Sequence, residues 1–372
     1  MSRVIYGDEC GFTGPDLMNP VQPVFAFATH DFSEAEAAEI LQEHCAAFAG
    51  PEIKHEKLAK TARGQEMALA VLTDRRLTPD RLAVGVAHKQ FCTLLKIIEL
   101  VVEPAMHADG LDLYEGGANI AMGNMWQGVL GLDEGLRTRL CRAFQDLVRR
   151  PSPNTLYAFE VVLRCDHSIE MIAEELRHIH ASMARLIQVA PEEIPTLHGR
   201  DLDLAVAIAL PTMHRWRERG GPGFELIHDE SSHMARQRDV WDWLVSPTAP
   251  EARVGGAGWS VIYPIGVTKT AFAKSDGSRA LQLADVIAGG VARWCRGLIT
   301  GGKDDGYYAR LHKDWFERLT KDDFSRIFAT TLWPTLDIER RVKEPGVASV
   351  FEYEERRSKT DPRPQRPPAG SG

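Results

Sequence analysis

Residues 5–11 read IYGDECG, an apolar run that stops at an Asp-Glu pair followed by two small residues. Residues 226–232, LIHDESS, repeat this pattern far along the chain. Such a run predicts a buried strand that delivers acids to its carboxyl end, where open α/β sheets bind ligands. If both strands join one sheet, Asp8 and Asp229 meet, and carboxylates without a cationic partner repel each other unless a hard cation separates them. The pattern therefore predicts a divalent-metal site.

Composition indicates an ordinary globular protein, since 44% of the 372 residues are hydrophobic and 26% are charged. The net charge of −8 argues against coating of nucleic acid by bulk electrostatics, although it permits a local basic groove. Lys54, Lys57 and Lys60 are candidates for such a groove, and a solvated helix face is the simpler interpretation of charge groups of this kind.

Neither a membrane span nor a leader is predicted. No segment approaches the roughly 20 uninterrupted apolar residues that a membrane helix needs. The opening residues, MSRVIY, lack signal-peptide architecture, so a cytoplasmic location is expected. Six scattered cysteines without a CxxC spacing indicate reduced thiols rather than a zinc site or a disulfide framework.

Apolar patterns and turn residues divide the chain into a sheet-bearing core and a helical middle. A capping box at Ser33 and Glu36 starts one helix, which we expect to run to about residue 48, and Ser278 starts another that continues to about residue 298. A further helix is predicted over residues 62–74. Strands are predicted over residues 4–8, 23–29, 53–57, 82–87, 224–229 and 259–267, and residues 155–164 are ambiguous.

This pattern predicts an α/β fold in which core sequence at 1–89 and 220–300 flanks a large helical insertion at 90–219. A C-terminal helical extension is expected over 301–341. Residues 342–372 are charged and rich in proline, which is the composition of a disordered tail.

The order of these elements outlines a ribonuclease H-like domain, and four motifs resemble the bacterial family catalogued as domain of unknown function 3800. They are YGDECG at 6–11, HEK at 55–57, HDES at 228–231 and LQLADVIAG at 281–289. That family opens with Asp-Glu-Ser-Gly and closes with a Gln-Leu-Ala-Asp helix, so Cys10 stands where the family has Ser. The resemblance implies a ribonuclease H-like mixed sheet flanked by helices, and a nuclease role in phage defence or mobile-element biology.

Phosphodiester hydrolysis on such a scaffold uses carboxylates from separate elements to hold Mg²⁺ or Mn²⁺. We expect Asp8 to be the bridging ligand, with Asp229, Glu56 and Asp285 as the remaining catalytic and metal-binding residues. The candidates for auxiliary roles are acids beside the main ligands, lysines that could neutralise the scissile phosphate, and histidines that could carry protons. They are Glu9, Glu230, Lys57, Lys274, His55, His228 and His233.

Each acid also has a structural interpretation. Asp8 could end a strand and start a turn, and Glu56 lies in a charge-rich run that is typical of a solvated surface. Asp285 could belong to a polar stripe on an otherwise apolar helix.

Two function classes follow. The first is a divalent-metal-dependent nuclease that acts on RNA or DNA. The second is a non-catalytic interaction protein that binds a protein partner through the helical insertion.

Overall fold

A computed structural model describes residues 3–114, 117–230, 234, 237–245, 252–254, 261–302 and 305–334. The strands are β1 (Arg3–Cys10), β2 (Val24–His30), β3 (Leu82–His88), β4 (Phe224–Asp229), β5 (Ala252–Val254), β6 (Val261–Tyr263), β7 (Val267–Ala273) and β8 (Phe328–Leu332). The helices are α1 (Glu34–Cys45), α2 (His55–Leu58), α3 (Ala62–Leu72), α4 (Lys89–Ile97), α5 (Glu103–Ala108), α6 (Ala118–Val129), α7 (Glu134–Arg149), α8 (Pro153–Leu163), α9 (Glu170–Val189), α10 (Glu193–Thr196), α11 (Ala205–Gly220), α12 (Arg238–Val245), α13 (Arg279–Thr300), α14 (Gly306–Asp314) and α15 (Lys321–Ile327).

The predicted α/β class is confirmed. Six strands form one mixed sheet in the order β7-β4-β1-β2-β3-β8, while β5 and β6 make a separate antiparallel ribbon. Strand β2 runs antiparallel to both β1 and β3. The pairs β1–β4, β4–β7 and β3–β8 are parallel. The carboxyl ends of β1, β3, β4, β7 and β8 therefore lie at the same edge of the sheet.

Alternation along the strands builds a hydrophobic core on each face of the sheet. On β2, Phe25 and Phe27 point toward the helical insertion, whereas Ala26 and Ala28 point toward α1, α3 and α13. The insertion is fastened to its face by α11, where the indole of Trp216 donates a 2.8 Å hydrogen bond to the hydroxyl of Thr29. No helix among the described residues is both long enough and apolar enough to cross a membrane.

The predicted helix starts are confirmed by their caps. Ser33 and Glu36 form a complete capping box, with each side chain accepting from the backbone of the other. Ser278 accepts a 3.1 Å hydrogen bond from the amide of Leu281 at the start of α13. These bonds satisfy amides that the first turn of a helix leaves unpaired.

Three predicted elements differ in the structure. Residues 53–57 are not a strand: Lys54 is extended and the short helix α2 follows it. Residues 259–260 of the predicted strand at 259–267 lie outside the described residues, and its described part is interrupted after β6, where Pro264 has no amide to donate and Gly266 adopts φ +94°. The ambiguous residues 155–164 belong to α8, whose start carries a complete cap at Ser152.

The predicted C-terminal helical extension also contributes a strand. Helices α14 and α15 are followed by β8, which pairs with β3 and forms an edge of the sheet. The tail predicted over residues 342–372 lies outside the described residues.

Candidate active site

Two of the predicted acids lie near the carboxyl ends of neighbouring parallel strands. Gly7 of β1 lies opposite His228 of β4, so Asp8 and Asp229 follow at the same edge. Each acid is three residues beyond a core residue that faces the insertion, Ile5 or Leu226, and therefore points to the opposite face. Asp8 is 5% exposed. The repeated sequence pattern thus places two carboxylates side by side.

A third acid reaches this point from a helix. Helix α13 packs against β1 and β2, and it carries Asp285 to the same region. One carboxylate oxygen of Asp285 accepts a 2.6 Å hydrogen bond from the amide of His55, the first residue of α2. Three separate elements, β1, β4 and α13, therefore supply one acidic cluster, which we define as Asp8, Asp229 and Asp285.

The electrostatics of this cluster disfavour full ionisation. Burial raises the pKa of Asp8 well above its usual range, and the negative charges of Asp285 and Asp229 add to that effect. Burial likewise raises the pKa of Asp285 to about 6, against the lowering effects of the His55 amide and Lys54. A cation at this position would offset the cost of desolvating the charged carboxylates and the repulsion between them.

Glu52 joins the cluster through a serine, and the sequence analysis did not identify it. The hydroxyl of Ser275 lies 2.7 Å from a carboxylate oxygen of Glu52 and 3.1 Å from one of Asp229, while the Ser275 amide donates to Asp229 at 3.0 Å. A hydroxyl has one proton to donate, so it cannot satisfy both carboxylates at once. The residue type alone gives no signal for this role, because Glu52 lies in a charge-rich run.

Lys54 is a cation whose charge acts on the cluster. It pairs with Glu52 at 3.2 Å, and the charges of Asp285 and Asp229 help to raise the pKa of its ammonium group. Gln282 holds this segment against α13, since its side chain accepts from the amide of Ile53 and donates to the carbonyl of Ser275.

Glu56 is not brought into the cluster. Its side chain is 84% exposed and pairs with Lys60 at 3.1 Å. Its charge still helps to raise the pKa of the half-buried Cys10 thiol, after desolvation, Asp285 and Asp8, so Glu56 lies at the rim. The solvated-surface interpretation fits this position better than that of a ligand.

Neither auxiliary lysine forms an ion pair with Asp8, Asp229 or Asp285. Lys57 pairs with Glu52 at 3.3 Å and is largely solvated, and Lys274 is exposed. Glu230 is also exposed. Glu9 directly follows Asp8 in β1, so its side chain belongs to the opposite face of the sheet. His233 lies outside the described residues.

The two described histidines are held in structural contacts. The His55 ring lies 3.0 Å from the hydroxyl of Tyr307, and burial lowers the pKa of this imidazole to about 4. The His228 ring is buried between Phe27 and Phe272, on the face away from Asp8. The His55 amide donates to Asp285, and the His228 ring contacts Asp229 at its backbone carbonyl, 2.7 Å from Nδ1, and not at its carboxylate. Neither ring is therefore placed to exchange a proton with a carboxylate of the cluster.

The loop after Asp8 is held by groups other than Cys10. Lys89 donates a 2.7 Å hydrogen bond to the hydroxyl of Thr13. Gln145 of α7 accepts from the amides of Leu17 and Met18. The helical insertion therefore fastens the loop that follows the first acid.

The donor set of the acidic cluster suits a hard divalent cation, since it consists of carboxylate oxygens. Among the described residues, three potential ligand atoms lie within 4.8 Å of one another only at Glu43, His44 and Asp74. Arg76 forms ion pairs with both carboxylates of that trio, so its guanidinium already neutralises them. The carboxylate oxygens of the acidic cluster do not all lie within 4.8 Å of one another. Direct ligation of one ion by all three residues therefore requires side-chain rotation.

Comparison of the chain with protein-family profiles, with curated proteins and with solved structures gave no match. The geometry of the acidic cluster and its surroundings is therefore the basis for a functional assignment.

Proposed function

We propose that this protein is a divalent-metal-dependent nuclease that hydrolyses phosphodiester bonds of RNA or DNA. The observation that carries the proposal is the convergence of Asp8, Asp229 and Asp285 from three elements, with the pKa of Asp8 and that of Asp285 raised by burial and mutual repulsion. Clustered buried acids with perturbed pKa values at a sheet edge are typical of catalytic sites.

The strand order supports a ribonuclease H-like scaffold as part of this proposal. Strands β1, β2 and β3 form an antiparallel meander, and β4 and β7 extend the sheet on the other side of β1, parallel to it. The acids lie on the first strand, on the strand added next to it and on the helix α13, which packs over both. The resemblance to the 3800 family implies a ribonuclease H-like mixed sheet flanked by helices, and this arrangement supports that expectation.

Asp8, Asp229 and Asp285 would hold Mg²⁺ or Mn²⁺, with Glu52 beside them. When bound, such an ion polarises the phosphate and makes a bound water more acidic. The carboxylates orient that water through hydrogen bonds. Lys54 offers an ammonium group to a phosphate oxygen, and Lys57 and Lys60 extend this positive edge outward.

The test is calorimetric titration of Mg²⁺ and Mn²⁺ into the wild type, Asp8→Asn and Glu39→Gln, followed by a cleavage screen on mixed RNA and DNA. Glu39 is an exposed acid on α1 and serves as the matched control. We expect binding and cleavage in the wild type and in Glu39→Gln, and loss of both in Asp8→Asn.

Equal metal binding by Asp8→Asn and wild type would remove Asp8 from the site. Absence of metal binding and of cleavage in the wild type, with nucleic acid present, would favour the non-catalytic interaction protein.

A further inference from the structure

A large cavity lies between the helical insertion and the outer edge of the sheet, away from the acidic cluster. Its volume is about 950 Å³. Helices α4 and α11 form two of its walls, and the strand β8 with Trp333 forms another. Cavities of this size are typical of binding sites rather than of packing defects.

The cavity follows the edge of β8 and not one of its faces. Five consecutive residues, 329–333, line it. Because successive side chains of a strand point to opposite faces, a cavity against one face would contact only alternate residues. Strand β8 is the last in the sheet order, and among the described residues only β3 pairs with the backbone of its residues 329–332. With respect to the described residues, its outward amides and carbonyls are those of an open sheet edge.

The opposite wall also offers a backbone acceptor. Pro211 lies inside α11 and has no N–H to donate to the carbonyl of Ala207, one turn earlier, and both residues line the cavity. Beyond the end of α4, the wall continues into a π-helical turn at Ile98–Val102, a type of helix distortion that is frequent at functional sites.

Among the described residues, one carboxylate that lines the cavity has no salt-bridge partner. Lys96 pairs with Glu99 at 2.8 Å, and Arg215 pairs with Glu218 at 3.5 Å. Glu103 forms no salt bridge with any described residue; burial raises its pKa, the charge of His107 opposes that rise, and the charges of Asp112 and Glu99 add to it. This end of the cavity therefore attracts a cation. The remainder of the lining includes apolar and aromatic side chains, among them Phe91, Leu95 and Trp333.

We propose that this cavity binds an extended peptide segment of a partner protein, which pairs with β8 as an added strand and places a lysine or arginine beside Glu103. Backbone pairing to an open edge supplies affinity, while pockets for alternate side chains supply selectivity. The apolar walls accept the inward-facing side chains of that segment, and Glu103 selects the basic one. This function is separate from the proposed nuclease activity, and it needs neither metal nor nucleic acid.

The test begins with selection of random displayed peptides of about seven residues, the length of an ordinary strand, on the immobilised full chain in metal-free buffer. We expect enriched peptides to alternate apolar residues and to carry Lys or Arg at one fixed position. Binding of a selected, fluorescently labelled peptide is then measured by polarisation. Glu103→Gln should weaken it by about tenfold, as expected for loss of one ion pair in a partly buried site.

Two further comparisons distinguish pairing with the edge of β8 from nonspecific hydrophobic binding. Ala207→Trp fills the cavity from an exposed helix position and should abolish binding, whereas Ala158→Trp, at an exposed position on α8, should leave it unchanged. Methylation of alternate amides on one edge of the peptide should abolish binding, while methylation of the other set should be tolerated. No enriched peptide, a preference for acidic peptides, or insensitivity to Ala207→Trp or to methylation of either set would overturn the proposal.

Discussion

The folded protein disfavours the ionised form of Asp285. Its pKa is raised from 3.8 to about 6, so at pH values between these two the unfolded chain has released a proton that the folded protein keeps. This contribution lowers the stability as pH rises through that range and is constant above it. Asp285→Asn removes the penalty and keeps an oxygen for the His55 amide. We expect the variant to gain up to about 3 kcal/mol over wild type at neutral pH, at about 1.4 kcal/mol per pKa unit.

Urea unfolding of both proteins at about pH 4 and about pH 7.5 measures this difference. The gain should be small at the lower pH and larger at the higher one. A gain that does not depend on pH would contradict the raised pKa of Asp285.

Glu52 and Glu56 provide a matched pair of acids four residues apart. Glu52 shares Ser275 with Asp229 and holds Lys54, whereas Glu56 is exposed and pairs only with Lys60. Under the nuclease proposal, we expect Glu52→Gln to lower the cleavage rate by about tenfold or more and Glu56→Gln to change it by less than about twofold, since exposed ion pairs contribute little. Initial rates and metal affinity of the two variants check this, and the reverse order would restore Glu56 as the ligand.

The sequence allowed Asp8 and Asp229 to be predicted because each lies near the carboxyl end of a strand, whose direction and alternation fix where its side chains lie. Glu52 could not be found in this way. It precedes a short helix, in a run where every second residue is charged, and its orientation depends on contacts with Ser275, far away in the chain. In the sequence, Gln282 is one residue of a motif. Its role in holding the segment before α2 against α13 depends on its contacts with Ile53, which is likewise distant in the chain, and with Ser275.

At the scale of elements, α13 can deliver Asp285 only because it approaches α2 closely. A Cβ built on Gly289 would lie 2.3 to 2.6 Å from atoms of His55, which is too close for any side chain. We expect Gly289→Ala to destabilise the fold by about 1–3 kcal/mol, as overpacking does, and to loosen the His55 contact with Asp285. Gly128, within α6, has nothing within 4 Å of its Cβ position and is the control. There, Gly128→Ala should stabilise by about 0.5–1 kcal/mol.

Chemical denaturation of both glycine variants gives the two free energies of unfolding. Equal effects would mean that helix propensity, and not close packing, decides both positions.

The two predicted helix caps carry strong local signals, whereas β8, which is fixed by distant pairing, was not predicted. The caps at Ser33 and Ser278 satisfy helix amides within a few residues, so the sequence shows them directly. Strand β8 instead owes its position to parallel pairing with β3, across a large part of the chain. This short run, with threonines at two of its five positions, carries no local sign of that partner.

At the scale of the whole molecule, sheet and insertion share one hydrophobic core. That core joins Ile5, Phe25 and Phe27 of the sheet to Phe144 and Trp216 of the insertion. The pattern of the sequence separates the two at about residues 89 and 220, because periodicity changes there, but periodicity does not report which faces pack together. The insertion is therefore a layer of the fold and not an appended unit.

This continuity predicts that the two sides of the sheet unfold together. Cys92 and Cys141 are buried in the core shared with the insertion, and Cys45 and Cys295 are buried in the core on the opposite face. Burial raises the pKa of all four thiols, so they react slowly while the protein is folded. Brief thiol labelling across a urea series, read by peptide mass spectrometry, should give one midpoint for all four. Labelling of Cys92 and Cys141 at lower urea than the other pair would show that the insertion unfolds on its own, because each pair reports one face of the same sheet.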